Sequence, residues 1–248
     1  MKINTQTITK QDLSAPDSLS VNSIFYTIQG EGPFAGTPAV FIRLAGCNLQ
    51  CPFCDTEYTD HLVNDPVEVI NRAIRLVPKN LIILAGSDNA PLVVITGGEP
   101  FRQDIRRLVK MLLNYGFRVQ IETNGTLFID DFPHLSEVTV VCSPKTGAIN
   151  KQLIPFIDAY KYIIHAGKVS PVDGLPVTSL EHTAKNGVAR PSPTGIGSLA
   201  LSKAPVYVQP ADEQNTATND ANLKEAIKSA TTFGYRLCIQ VHKIIGME

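Results

Sequence analysis

Apolar residues fall into runs of strand length: SIFYTI from Ser23, AVFIRL from Ala39, PLVVIT from Pro91, FRVQIE from Phe117, EVTVVC from Glu137, AYKYII from Ala159, PVYVQ from Pro205 and YRLCIQV from Tyr235. Several are β-branched and apolar on both faces, the pattern of strands buried in a parallel sheet. Between them, PVEVINRAIRLV from Pro66, RQDIRRLVKMLLNY from Arg102 and NLKEAIKSATTF from Asn222 carry apolar residues at spacings of three and four, which predicts amphipathic helices. Alternation of strand and helix predicts an α/β fold with a parallel sheet and right-handed crossovers. Eight βα units would be tight in this length, so the expectation is a partial, open barrel of the (β/α)6 type.

Two segments fall outside this rhythm. Residues 1–22 are polar and aperiodic and read as a flexible N-terminal tail before one core domain, 23–248. The stretch 166–203, with SPVDG and NGVARPSPTGIG, reads as a surface insertion or lid within that domain.

Composition narrows the class. With 248 residues, 44% of them hydrophobic, the chain can bury a substantial core, and its net charge of −1 argues against a surface that coats nucleic acid. No apolar stretch approaches the roughly 20 residues of a membrane span, and the N-terminus has no leader-like apolar segment, so the expected location is cytoplasmic.

Three of the five cysteines, Cys47, Cys51 and Cys54, stand in AGCNLQCPFCDT, a C-x3-C-x2-C spacing. Thiolates so close repel one another and tend to oxidise unless a cation holds them. A structural zinc would want a fourth ligand, and the only nearby histidine, His61, lies in a polar turn. The common ferredoxin spacings differ and bring a fourth cysteine. The pattern points to an iron-sulfur cluster with one iron left open; zinc and a fortuitous group of thiols are the alternatives. Cys142 and Cys238 lie inside apolar strands and read as buried, inert thiols.

Polar and turn-forming groups gather at the C-terminal ends of the strands: Gly97-Gly98-Glu99-Pro100, Thr123-Asn124-Gly125, Ser143-Pro144-Lys145 and Gln209-Pro210. That rim is where α/β sheets and barrels build active sites.

C-x3-C-x2-C followed by GGEP resembles the radical S-adenosylmethionine superfamily, and within it the 7-carboxy-7-deazaguanine synthases. The resemblance rests on IFYTIQGEGPFAGTPAVFIRLAGCNLQCPFCDTEYT from Ile24, VITGGEP from Val94, ETNGT from Glu122, CSPKTG from Cys142, VYVQPADE from Val206 and QVHK from Gln240. It implies the open barrel of that superfamily. It also implies a 4Fe-4S cluster on Cys47, Cys51 and Cys54 whose open iron takes S-adenosylmethionine. Around that cofactor would stand Phe53, Cys54, Asp55, Gly97, Gly98, Glu99, Ser143, Pro144, Lys145, Gln209, Pro210, Ala211 and Asp212, with the two glycines admitting the methionyl group and Lys145 serving as a point charge. Without its neighbours, Lys145 would read as a solvated surface charge.

The substrate implied is 6-carboxy-5,6,7,8-tetrahydropterin, converted to 7-carboxy-7-deazaguanine and ammonia on the path to queuosine and other deazapurines. Gln29 and Glu31, with the backbone of Ile28 and Gly30, would pair with the pyrimidine edge, and Arg43 would fork onto the carboxylate. Arg43 has a structural ion pair as its alternative. Thr96, His242 and the terminal carboxylate of Glu248 would complete the site, though a histidine on an apolar strand also fits a core position. Thr56 matches the family's Mg2+ ligand, against a turn threonine. An electron donor of the flavodoxin or ferredoxin type and a homodimer, touching at the strand before Gln29, are further expectations. A glycyl-radical-enzyme activase and a non-catalytic iron-sulfur redox module are the competing functions.

Overall fold

The computed structural model describes residues 4–54, 56–82, 87, 89–178, 180, 187–191 and 204–247. Its strands are β1 (Leu19–Ile28), β2 (Pro38–Leu44), β3 (Leu62–Asn64), β4 (Leu92–Gly97), β5 (Arg118–Thr123), β6 (Val138–Cys142), β7 (Ala159–Ile164), β8 (Val206–Pro210) and β9 (Arg236–Leu237). The helices are α1 (Pro66–Leu76), α2 (Lys79–Ile82), α3 (Arg106–Asn114), α4 (Thr216–Phe233) and α5 (Val241–Ile244). All nine strands form one open sheet in the order β3-β1-β2-β4-β5-β6-β7-β8-β9. From β2 through β9 the pairings are parallel, as the doubly apolar runs predict.

Helices cover the sheet where the sequence supplies both cap and stripe. In α1, Asp65 accepts a bond from the Val67 amide, Pro66 occupies the first turn, and Val69, Ile70 and Ala73 are buried. Leu108, Val109 and Leu112 of α3 join the same core; burying side chains of this kind contributes about 1.5–3 kcal/mol each. Helix α4 begins six residues before the predicted segment, because Asn215 caps it by accepting from the Thr218 amide. The segment predicted from Arg102 starts as a 3-10 turn, Pro100–Arg102, before α3.

Four expectations change. Strand β1 runs antiparallel to β2, and its outer side is paired with β3 over Leu19–Val21, so the strand before Gln29 is only partly an edge. Residues 4–18 do not trail free. The Thr9 amide bonds to the Cys47 carbonyl (2.8 Å) and the Asp12 amide to that of Arg102 (2.8 Å), laying the segment along the cysteine loop. The run from Tyr235 holds strand geometry for two residues only, and His242 lies on α5, where the Val241 amide reaches the Gly30 carbonyl (3.2 Å). Of the insertion, the described ends pack inward: Leu175 and Val188 enter the main core, and Ser229 of α4 bonds to the Gly174 carbonyl (2.7 Å). Residues 179, 181–186 and 192–203 lie outside the described residues.

Candidate functional site

The strand ends open into one cavity of about 440 Å³. Its floor is the cysteine loop, which leaves β2 at Leu44 and is held on three sides. Gly46 donates to the Tyr58 carbonyl (2.9 Å), Arg102 and Gln103 donate to the Ala45 carbonyl (3.0 and 3.2 Å), and the N-terminal segment lies alongside. There Gln6 accepts from the Tyr58 amide (2.6 Å) and donates to the Thr56 carbonyl (2.9 Å), while Asn4 donates to the Cys51 carbonyl (3.2 Å).

The GGEP turn closes against the same loop. Gly98 donates to the Leu44 carbonyl (3.0 Å) and Glu99 to that of Gly46 (2.9 Å). A Cβ on Gly97, whose φ is +122°, would lie 2.0 Å from the Leu44 carbonyl oxygen. The two glycines are thus required by the cysteine-loop backbone, while both still line the cavity. Glu99 faces away from it, accepting from the Phe101 and Asn124 amides (3.0 and 2.8 Å) and the Thr123 hydroxyl (2.8 Å). Burial pushes its carboxyl up to about 7 against those three donors.

Cys47, Cys51 and Cys54 all line the cavity. Burial, with the charges of Glu99 and of the other two cysteines added, raises Cys47 to about 12, and burial raises Cys51 to about 11 despite Lys145. Thiols so placed need a bound cation to ionise. Among the described residues, no three His, Cys, Asp or Glu side chains converge to hold a single metal ion. Three thiols lining one cavity are a donor set suited to an iron-sulfur cluster.

Ser143 and Lys145 follow β6 into the cavity, the ammonium donating to the Ser143 hydroxyl (2.6 Å) and lying 5.7 Å above the Phe53 ring. Burial pushes this ammonium below the usual lysine range. Phe53 meets His165 edge-on at 5.4 Å. Opposite stand Pro210, Ala211 and Asp212; the last accepts from Lys243 (2.8 Å), Asn219 (2.9 Å) and the Gln214 amide, which hold it down to about 2.

The far end is a buried charge network. Lys161 of β7 donates to Glu31 and to Glu122 (3.1 Å). Glu31 also accepts from Gln209 (3.2 Å) and Gln240 (2.8 Å), and Glu122 from Gln29 (3.0 Å) and Gln120 (2.8 Å). Burial alone would raise Glu31, but Lys161 and Gln240 outweigh it and hold the carboxyl at about 2. Arg43, also lining the cavity, lies 5.0 Å over the Phe25 ring. His242 packs on Gly30, where a Cβ would sit 1.9 Å from its Nδ1.

Ile28, Thr56 and Thr96 line the cavity with these residues; Gly30, Glu99 and Pro144 stand behind its wall. Gln209, expected at the adenine, has its amide committed to Glu31 and Cys238. Asp55 and Glu248 lie outside the described residues. The sequence reading missed Tyr58, Glu122, Asn124, Lys161 and Gln240. Lys161 and Glu122 carried a usable signal, a charge interrupting an apolar strand, as Arg43 does.

The profile of the Radical SAM superfamily matches residues 41–148. A 7-carboxy-7-deazaguanine synthase of Rhodospirillum rubrum is 44% identical over 236 residues, 92% of each chain. That of Rickettsia prowazekii is 43% identical over 238 residues, 93% of this chain and 89% of its own. The crystal structure of QueE from Escherichia coli superposes with a TM-score of 0.63 over 90% of this chain and 94% of that one; at 24% identity this supports the fold alone. With the cysteine loop, the GGEP turn and the charged cavity in one sheet, and relatives aligned along nearly the whole chain, the protein belongs to the 7-carboxy-7-deazaguanine synthase family of radical S-adenosylmethionine enzymes.

Proposed function

We propose that the protein converts 6-carboxy-5,6,7,8-tetrahydropterin to 7-carboxy-7-deazaguanine and ammonia, a radical-mediated ring-contracting lyase step in queuosine and deazapurine biosynthesis. The observation that carries this reading is the cavity itself, which brings three thiols together with the guanidinium of Arg43, the carboxylates of Glu31 and Glu122 and the imidazole of His242.

Cys47, Cys51 and Cys54 would hold the 4Fe-4S cluster, which together with S-adenosylmethionine supplies a 5'-deoxyadenosyl radical. Gly97, Gly98, Ser143 and Lys145 bind the methionyl and ribose portions, Lys145 as a cation set for an anionic group. Phe53, Pro210, Ala211 and Asp212 border the adenine. At the opposite end Arg43 takes the pterin carboxylate, and Glu31 with Glu122 accepts the N–H donors of the pyrimidine edge. Thr56 offers one oxygen to Mg2+, whose remaining positions suit water and substrate oxygens. Gln240, His242 and Met247, arriving with α5, close the cavity over the substrate and exclude water.

An electron donor of the flavodoxin or ferredoxin type and a homodimer belong to this reading. The exposed Leu62 and Val63 of edge strand β3 support a contact there. Among the described residues no helix is long and apolar enough to cross a membrane.

The test is turnover. Anaerobically reconstituted, reduced protein given S-adenosylmethionine, Mg2+ and 6-carboxytetrahydropterin yields 7-carboxy-7-deazaguanine by mass, and Cys51→Ala yields none. Accumulation of 5'-deoxyadenosine without deazaguanine removes the substrate assignment, and failure to cleave S-adenosylmethionine at full cluster loading favours a redox module.

A further inference from the structure

Two carboxylates share one lysine at the deep end of the cavity. Each uses its oxygens alike: Oε1 accepts from two glutamine amides, and Oε2 accepts from Lys161. The four amides come from separate elements, Gln29 after β1, Gln120 on β5, Gln209 on β8 and Gln240 before α5. A carboxylate offers about four acceptor positions, so with three bonds filled each keeps about one. Glu31 and Glu122 therefore present a pair of acceptors to a ligand that brings a pair of N–H donors.

That presentation depends on both groups being ionised. Two like charges a few ångströms apart in a buried site cannot both persist without a cation, and one takes up a proton. Lys161, itself only 6% exposed, is the cation between them. We infer that Lys161 is a positioning residue for substrate recognition, keeping Glu31 and Glu122 both charged and aimed so that they read the donor edge of the pterin. This rests on the substrate reading above and adds to it a residue that need not touch substrate.

The other ionisable groups acting on the trio are His242 on α5, Cys238 after β9 and Lys145 after β6. They are present in every variant below, so the readout is the difference between pH profiles. Calorimetric titration of the reconstituted protein with pterin-6-carboxylate, from about pH 5.5 to 7.5, measures affinity without turnover. Lys161→Met weakens binding about tenfold or more at the acid end and recovers as pH rises, a slope absent from the difference between wild type and Lys161→Arg. Adding Glu122→Gln to Lys161→Met abolishes the extra slope, because the like-charge pair is gone. If Lys161→Met does not fold, the same second substitution restores folding.

An equal loss of affinity at every pH in Lys161→Met overturns the inference while leaving the substrate reading standing. So does a double variant that keeps the slope or, where Lys161→Met is unfolded, stays unfolded. Absence of pterin binding by the wild type overturns the substrate reading and this inference with it.

Discussion

Gly98 and Gly46 pack backbone to backbone, so that a Cβ on Gly98 would lie 1.9 Å from the Gly46 carbonyl oxygen. The GGEP turn and the cysteine loop are thereby one piece, and the position of the thiols depends on a residue with no side chain. Gly98→Ala is expected to cost about 3 kcal/mol through overpacking. It should lower both the melting temperature and the iron bound per chain; a variant with full iron content and unchanged melting would contradict this coupling.

Gln6 ties the N-terminal segment to the loop through the Tyr58 amide and the Thr56 carbonyl. Gln6→Ala leaves both partly buried groups without that partner, a loss of about 1–2 kcal/mol. Hydrogen exchange at the Tyr58 amide should quicken about tenfold, with core amides of β4 and β5 unchanged.

These bonds also show why residues 4–18 were illegible as structure. Asn4, Gln6, Thr9 and Gln11 attach by side-chain and single backbone hydrogen bonds, which leave no apolar period in the sequence. The parallel strands were legible because both faces are buried. The cysteines, GGEP and SPK were legible as motifs. Lys161 and Glu122 each stand out singly as a charge in an apolar strand, but their pairing across 39 positions is a product of sheet order, which no local pattern displays. His242, expected at a strand end, lies on α5 instead, because nothing local to QVHK reveals that the chain turns there to meet Gly30.

Glu99 makes folding pH-dependent. Its carboxyl is raised by burial from 4.5 to about 7, so it favours the folded state fully below about pH 4.5 and loses that contribution as pH rises through about 7. The size is about 3 kcal/mol. Denaturant titrations across that window should show the loss in wild type and a flatter profile in Glu99→Gln; identical profiles would place the titration elsewhere.

Lys145 is held by Ser143 and by the face of Phe53. Lys145→Ala should weaken S-adenosylmethionine binding about 10- to 100-fold, the loss of a charge-assisted contact of about 1.5–3 kcal/mol. Equilibrium binding to reconstituted protein checks this, and iron content should stay at the wild-type level.

Arg43 offers a planar fork where lysine would offer a point charge. Arg43→Lys should raise KM for the pterin about tenfold while leaving S-adenosylmethionine affinity unchanged. Equal losses for both ligands would mean that Arg43 shapes the cavity as a whole.

If one cavity brings the pterin C6 beside the 5'-deoxyadenosyl group, a hydrogen atom passes directly between them and can be followed by isotope. Substrate carrying deuterium at C6, turned over by the reduced protein with unlabelled S-adenosylmethionine, should leave deuterium in the 5'-deoxyadenosyl group recovered from the mixture, alongside 7-carboxy-7-deazaguanine. Product formed with no deuterium reaching that group would mean that C6 does not lie beside it.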